Sequence, residues 1–110
     1  MEHDKDLYRL KAELCKTLSN PERLLIINEL RSGEKTVNDL AEVAEVNQSI
    51  VSRHLAILRN RGVVESRRQG INVYYSLSDP RMGEACDLVQ QILLNQMEKN
   101  KELADRLIHL

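Results

Sequence analysis

The hydrophobic pattern of this chain changes its period near residue 62, and this change constrains the fold more than any other feature. Before it, apolar residues recur every three or four positions in four successive segments, which indicates amphipathic helices. After it, the runs 63–67 and 73–77 alternate with a period of two, as strands do. A helical pattern then returns at Met82. The sequence therefore predicts a mainly α fold with one small β-hairpin, in the order α-α-α-α-β-β-α.

Leucine spacing indicates the first predicted helix, and capping residues mark the starts of the next two. The first covers 5–18, where leucines recur at helical spacing. The second begins at Pro21, directly after Asn20, because a capping side chain followed by proline is a helix-start signal. The third opens with a capping box in which Thr36 and Asp39 satisfy each other's backbone donors. Three short helices with polar connections are therefore expected before residue 45.

The third and fourth helices are predicted to form a helix-turn-helix over residues 36–61. About three residues around Glu45 separate them, and the fourth helix covers 48–61. The hairpin 63–77 follows directly, with Gln69-Gly70 in its link, so it is interpreted as a wing. A last helix starts near residue 80. The pattern leaves open whether residues 95–110 continue it or form a separate helix.

Composition and charge exclude several classes of protein. The 110 residues fit one domain, 1–110, and carry a formal net charge of −1. Residues 47–77 nevertheless hold five Arg and one Glu, a local basic segment suited to a polyanion. The chain has no long apolar stretch and no signal-peptide pattern, so we expect a cytoplasmic protein without a membrane partner. Nucleophile motifs, phosphate loops and metal clusters are also absent, so no enzyme activity and no cofactor are predicted.

The predicted fourth helix carries polar residues suited to reading bases in duplex DNA. In a helix-turn-helix, the second helix enters the major groove with its first residues facing base edges. Gln pairs with adenine, Arg with guanine, and Ser with either. The candidate base contacts are Gln48, Ser49, Ser52, Arg53 and His54. The alternatives are helix-start chemistry for Gln48 and Ser49, and a half-buried packing role for His54.

The hairpin adds candidate contacts to the DNA backbone. Arg67, Arg68, Gln69 and Asn72 surround its turn, where a wing would place them on phosphates or in the minor groove. Such contacts set affinity and register more than sequence choice. The alternative is an ordinary basic surface turn. Arg59 and Arg61 also suit the carbonyl end of a helix, so they are left out of the predicted contacts.

The segments 18–30, 36–64 and 66–80 together resemble the ArsR/SmtB family of winged-helix repressors. The resemblance implies a homodimer formed by the first and last helices, here 5–18 and 80–110. It also implies a palindromic DNA operator that the protein releases when an inducer binds.

The metal sites of the family are not recognisable in this chain. Metal-sensing relatives carry a Cys-Val-Cys run where Thr36-Val37-Asn38 stands here. A second family site in the last helix retains Asp79 but has Arg81, Ile92 and Asn95 at its later positions. His3 and His109 lie near the ends of the chain and are not expected to form a site. No metal is therefore predicted.

Cys15 and Cys86 are the candidate sensor residues, because they lie on the two helices that the family packs at the dimer interface. Free cysteine is also a common core residue, so a packing role is the alternative. Three sensing models remain open: a thiol switch, a non-thiol ligand at the interface, or no direct inducer. A winged helix that binds protein instead of DNA is the alternative function.

Overall fold

The computed structural model describes residues 4–108 and confirms the predicted order of elements. The helices are α1 Lys5–Leu18, α2 Pro21–Glu29, α3 Val37–Ala44, α4 Gln48–Asn60 and α5 Arg81–Ile108, and the strands are β1 Val64–Gln69 and β2 Asn72–Leu77. A single 3₁₀ turn, Leu30–Ser32, extends α2. The last helix is continuous through residue 108, which answers the question that the pattern left open.

The turn between α3 and α4 spans three residues, as predicted. Glu45 takes a left-handed conformation with φ 56°, which ends α3 and reverses the chain. The Val46 amide donates to the Ala41 carbonyl at 3.3 Å. The Asn47 side chain then accepts from the Ile50 amide at 3.0 Å and caps α4. This local hydrogen bonding determines how α4 leaves the turn.

A glycine directs the chain from α4 into the hairpin. Gly62 has φ 76°, and its amide donates to the Arg59 carbonyl at 3.0 Å. The Val63 amide donates to the Leu58 carbonyl at 2.9 Å, which completes the hydrogen-bond pair of a Schellman motif. Strand β1 therefore begins at Val64, shortly after α4 ends at Asn60, and this short connection keeps the hairpin beside that helix.

The two strands pair closer to the hairpin tip than the sequence pattern predicted. β1 begins at Val64, not at residue 63, and continues to Gln69, which pairs with Asn72. The connecting residues are Gly70 and Ile71, so Gly70 lies in the link as predicted, whereas Gln69 belongs to β1. Gly70 has φ 63°, so the chain turns in two residues and the strand pairing extends over the polar tip.

The core lies between α2, α3, α4 and the base of the hairpin. Burial of each large aliphatic side chain contributes roughly 1.5–3 kcal/mol. The buried apolar residues are Ile26, Ile27, Leu30, Leu40, Ala41, Val51, Leu55, Leu58, Val63 and Val64. The segment before α3 adds a backbone contact, because Lys35 and Tyr75 exchange two hydrogen bonds of 2.8 and 3.1 Å. The hairpin is therefore joined both to α4 and to the α2–α3 connection.

Helices α1 and α5 contact this core only at the end of α1 and the start of α5, through Leu18, Met82 and Cys86. Leu7, Leu10 and Leu14 are exposed on α1. Apolar side chains along α5, from Leu88 to Ile108, are also exposed to solvent. Gly83 is the one fully buried residue of α5. Within residues 4–108, no helix combines the length and the apolar character that a bilayer crossing requires.

Candidate nucleic-acid interface

One face of α4 is buried and the opposite face is open to solvent. Val51, Leu55 and Leu58 are fully buried, which fixes the rotation of the helix against the core. Gln48, Ser49, Ser52 and Arg53 are exposed on the other side, as a base-reading role requires. The spacing of the apolar residues in α4 therefore determines which of its polar residues face the solvent and can contact a ligand.

The first turn of α4 is further ordered by side-chain hydrogen bonds. Gln48 Nε2 donates to Asn38 Oδ1 of α3 at 2.7 Å, and Ser49 Oγ donates to Asn47 Oδ1 at 2.7 Å. Asn38 was not among the predicted site residues. Its exposed position at the start of α3 was the available signal. These bonds orient Gln48 before any ligand arrives.

His54 differs from the prediction, because it faces the protein interior. It is only 8% exposed and lies between α4 and α2. Its Nε2 is 3.0 Å from Glu22 Oε2, and its Nδ1 is 3.3 Å from Arg23 Nη1. Since guanidinium can only donate, Nδ1 accepts and Nε2 carries the proton given to Glu22. Both ring nitrogens are therefore occupied, and His54 is removed from the candidate base contacts.

The two wing arginines lie in different environments. Arg67 donates from Nε and Nη2 to the two carboxylate oxygens of Glu34, at 2.6 and 2.8 Å, and its guanidinium lies 4.9 Å from the centre of the Tyr74 ring. Its Nη1 also donates to Gln69 Oε1 at 2.8 Å. Arg68 points to the other face of the hairpin, since adjacent strand residues alternate. Asn72 and Gln69 are exposed at the tip.

A groove between the end of α4 and the hairpin has a basic lining that includes Arg59 and Arg68. Arg67, which is paired with Glu34, also lines it, and Ser66, Val73 and Tyr75 complete its wall. Arg59 follows Ser52 by seven positions, so both lie on the same line along α4. The exposed row of α4 therefore continues into the wing groove, and Arg59 joins the candidate site although it was not predicted there.

Three arginines at this surface differ from Arg61 and Arg67 in forming no salt bridge within the described residues. Among the residues that the structure describes, Arg53, Arg59 and Arg68 take part in none of the salt bridges. Each is exposed. Their charges are available for an anionic ligand, which is the electrostatic requirement for binding phosphates.

The two cysteines are free thiols on different helices. Cys15 is exposed on α1, whereas Cys86 is half-buried and packs against the core. Burial raises the pKa of the Cys86 thiol; neighbouring Asp87 raises it further, and Arg31 opposes this. A raised pKa reduces the thiolate that reacts with oxidants or thiophilic metals.

No group of three or more His, Cys, Asp and Glu residues converges within residues 4–108 in a way that could hold a metal. Asp79, the remaining ligand position of the family site, binds Arg81 through hydrogen bonds that hold its pKa at about 2. His3 and His109 lie outside the described residues, so the expectation that no metal binds stays a prediction.

The architecture and the arginine surface define the class: this is a winged helix-turn-helix DNA-binding protein. The family model described as "Bacterial regulatory protein, arsR family" matches residues 20–66. The chain is 37% identical to the transcriptional repressor PagR of Bacillus anthracis, over 74% of this chain and 82% of that protein. The chain belongs to the ArsR family of bacterial transcription regulators.

Two further comparisons describe similar proteins. The transcriptional regulator NmtR of Mycobacterium tuberculosis is 41% identical over 69% of this chain, and the match spans 63% of the length of NmtR. The homodimeric winged helix-turn-helix DNA-binding domain of a possible ArsR-family regulator from Mycobacterium bovis superposes with a TM-score of 0.77. It is 29% identical, and the match covers 90% of this chain and 92% of that one.

Proposed function

We propose that this protein is a homodimeric repressor that binds a palindromic operator in duplex DNA. One observation carries the proposal: the exposed polar face of α4 continues into a wing groove in which two of the lining arginines, Arg59 and Arg68, form no salt bridge within the described residues. A helix-turn-helix presents this face to the major groove. The family membership supports transcriptional regulation as its purpose.

Base reading is assigned to the first two turns of α4. Gln48, Ser49, Ser52 and Arg53 would face base edges, with Gln48 oriented by Asn38. Arg53 would make the most discriminating contact, because its forked guanidinium matches the two acceptors of guanine.

Phosphate binding is assigned to the groove and the wing. Arg59 and Arg68 would bind the DNA backbone, and Gln69 and Asn72 would lie beside it at the hairpin tip. Arg67 has a different role in this arrangement, because its guanidinium is engaged by Glu34. It would hold the wing in place and contribute positive potential to the surface.

The dimer is proposed to form through α1 and α5. Leu10 and Leu14 on α1 and Val89, Leu93 and Met97 on α5 are exposed apolar side chains, and a surface of this kind is typically an interface. The Mycobacterium bovis domain is homodimeric, which supports association of two copies of this chain. Two-fold symmetry of the protein then requires two-fold symmetry in the DNA site.

This gives each part of the single domain 1–110 a role. Residues 36–61 are the helix-turn-helix and 63–77 the wing, while 5–18 and 80–110 form the dimer. The protein would act in the cytoplasm, where bacterial DNA is.

Release from DNA is proposed to act through the dimer interface. In the thiol model, Cys15 is the group that reacts first, because it is exposed and Cys86 has a raised pKa. In the ligand model, an unidentified small molecule separates α1 from α5. Both models place the sensor away from α4, so an inducer would change the dimer and not the reading residues.

The test is selection of bound duplexes from a random DNA pool, with the protein reduced in one arm and mildly oxidised in the other. A palindrome enriched only in the reduced arm supports the repressor and the thiol model. The same palindrome in both arms supports the repressor and excludes the thiol model. No enriched sequence in either arm overturns DNA recognition and favours a protein-binding winged helix.

A Cys15→Ser variant is the matched control for oxidation, since it removes one thiol and leaves the fold intact. In the thiol model its DNA binding is insensitive to the oxidant. If its DNA binding falls on oxidation as the wild type does, Cys15 is not the reacting group.

A further inference from the structure

The start of α5 lies unusually close to the arginine that follows α2. Gly83 is buried in the first turn of α5. A Cβ atom added at Gly83 would lie 2.6 Å from Arg31 Cδ and still closer to its Nε. Glycine inside a helix costs roughly 0.5–1 kcal/mol relative to alanine. Since Gly83 is not needed for a left-handed backbone, the close approach of Arg31 is the reason that glycine fits here.

An ion pair holds the same arginine to the next turn of α5. Arg31 Nη1 donates to Asp87 Oδ1 at 2.8 Å. The side chain of Arg31 therefore crosses over Gly83 to reach Asp87. The contact formed by Arg31, Gly83 and Asp87 is called the α5 joint.

The rest of α5 has no comparable attachment in the described chain. Met82 and Cys86 pack against the core beside the joint, whereas every residue from Leu88 to Ile108 is exposed. The 28 residues make a helix of about 42 Å at 1.5 Å per residue. A tilt of about 10° at the joint displaces its far end by about 7 Å, twice the rise of one base pair.

We propose that the α5 joint sets the distance between the two DNA-binding faces of the dimer, and so selects the spacing of the two half-sites. The inference rests on the proposed function, in which α5 joins the two protomers. In such a dimer each helix-turn-helix is connected to the interface through its own joint. Two recognition helices engage neighbouring major grooves only when their separation matches one turn of DNA, about 34 Å. The joint is thus a positioning device, and none of its residues contacts bases.

The experiment compares the wild type with Gly83→Ala, which places a methyl group where Arg31 Nε and Cδ lie, so the arginine side chain must shift from its path to Asp87. The substitution also raises helix propensity, so α5 itself is preserved. A double variant, Arg31→Ala with Gly83→Ala, removes the clash and the ion pair together. Gln91→Ala, an exposed change one turn beyond Asp87, is the matched control.

Three quantities are measured for each protein: mass in solution by light scattering, affinity for the operator selected by the wild type, and the half-site spacing recovered from a random pool. We expect Gly83→Ala to remain a dimer and to lose about ten-fold or more in affinity for that operator. It should select the same half-sites at a different spacing. The double variant should behave similarly, and Gln91→Ala should match the wild type.

Two results would overturn the inference, and they are distinguishable. If the wild type selects paired half-sites and both joint variants keep its affinity and spacing, the joint has no such role. If the wild type is a monomer or selects no paired half-sites, the proposed function itself is wrong. If Gly83→Ala does not fold, the double variant decides, because it contains no clash.

Discussion

Arg67 and Glu34 join the wing to the segment that precedes α3, and this ion pair separates the role of Arg67 from that of its neighbour Arg68. The pair has two hydrogen bonds, and its arginine also covers the Tyr74 ring. Lys35 and Tyr75 exchange backbone hydrogen bonds beside it. The wing is therefore attached at the base by its backbone and at its outer face by a charged pair.

This difference predicts unequal effects of two neighbouring substitutions. Arg68→Ala should weaken binding to all DNA sequences alike and reduce the dependence of log affinity on log salt by about one unit. Arg67→Ala should change that slope less and should instead speed amide hydrogen exchange in β1 and β2. Affinity titrations at several salt concentrations, with exchange measurements, check both. Equal changes of slope for the two variants would contradict the assignment.

Arg53 is expected to determine sequence preference. Arg53→Ala should cost about 1–3 kcal/mol of operator binding and relax the choice at one base pair. Arg61→Ala is the matched control, since Arg61 contacts Glu13 of α1 at 3.3 Å. Binding to a set of single-base operator variants provides the measurement. A uniform loss across all variants would instead make Arg53 a phosphate contact.

His54 is expected to stabilise the protein without reading bases. His54→Ala removes the donor to Glu22 and the acceptor for Arg23, so it should lower the free energy of unfolding by about 1–3 kcal/mol. Urea unfolding measures this, with the exposed Ser52→Ala as the control. Unchanged stability together with a lost base preference would return His54 to the DNA contacts.

The exposed apolar face of α5 predicts that one charge will break the dimer. Leu93→Asp places a carboxylate in the proposed interface, where it would be desolvated without a partner. Sedimentation should show a monomer at concentrations where the wild type is a dimer, whereas Glu98→Ala should leave the dimer intact. A dimeric Leu93→Asp protein would exclude this face.

Acid should destabilise the fold through paired carboxylates. Arg67 lowers the pKa of Glu34, the Thr36 amide and hydroxyl lower that of Asp39, and Arg81 holds that of Asp79 at about 2. Groups with a lowered folded-state pKa stabilise the protein above their unfolded pKa, near 4. That contribution is lost as the pH falls through the folded-state pKa.

Urea unfolding between pH 7 and pH 2 is the measurement for these carboxylates. The free energy of unfolding should decline from about pH 4.5 downward. Asp79→Asn should flatten the most acidic part of the curve. A decline of the same size in that variant would show that Asp79 is not one of the titrating groups.

The helices and their order could be predicted because their signals are local. The Thr36–Asp39 capping box, the cap at Asn47 and the glycine at 62 act through hydrogen bonds within one turn of chain. The exposed set Gln48, Ser49, Ser52 and Arg53 follows from helical periodicity alone.

His54, Arg67 and Arg59 could not be placed in the same way. The contacts of His54 are with α2, 31 and 32 residues away, and that of Arg67 is with Glu34, 33 residues away. Arg59 gains its role because the wing folds back beside α4. Such contacts depend on how elements pack, and no spacing within one helix encodes them.

Hydrophobic period and capping are short-range properties, so the helices, the hairpin and the face that each buries could be predicted from the amino-acid sequence. Which polar groups are already paired, and which remain available to DNA, depends on the packing of the elements against one another. The same packing places Gly83 under Arg31, which determines how α5 leaves the core. Both features depend on contacts between residues that are far apart in the chain, and such residues come close only when the helices and the hairpin pack together.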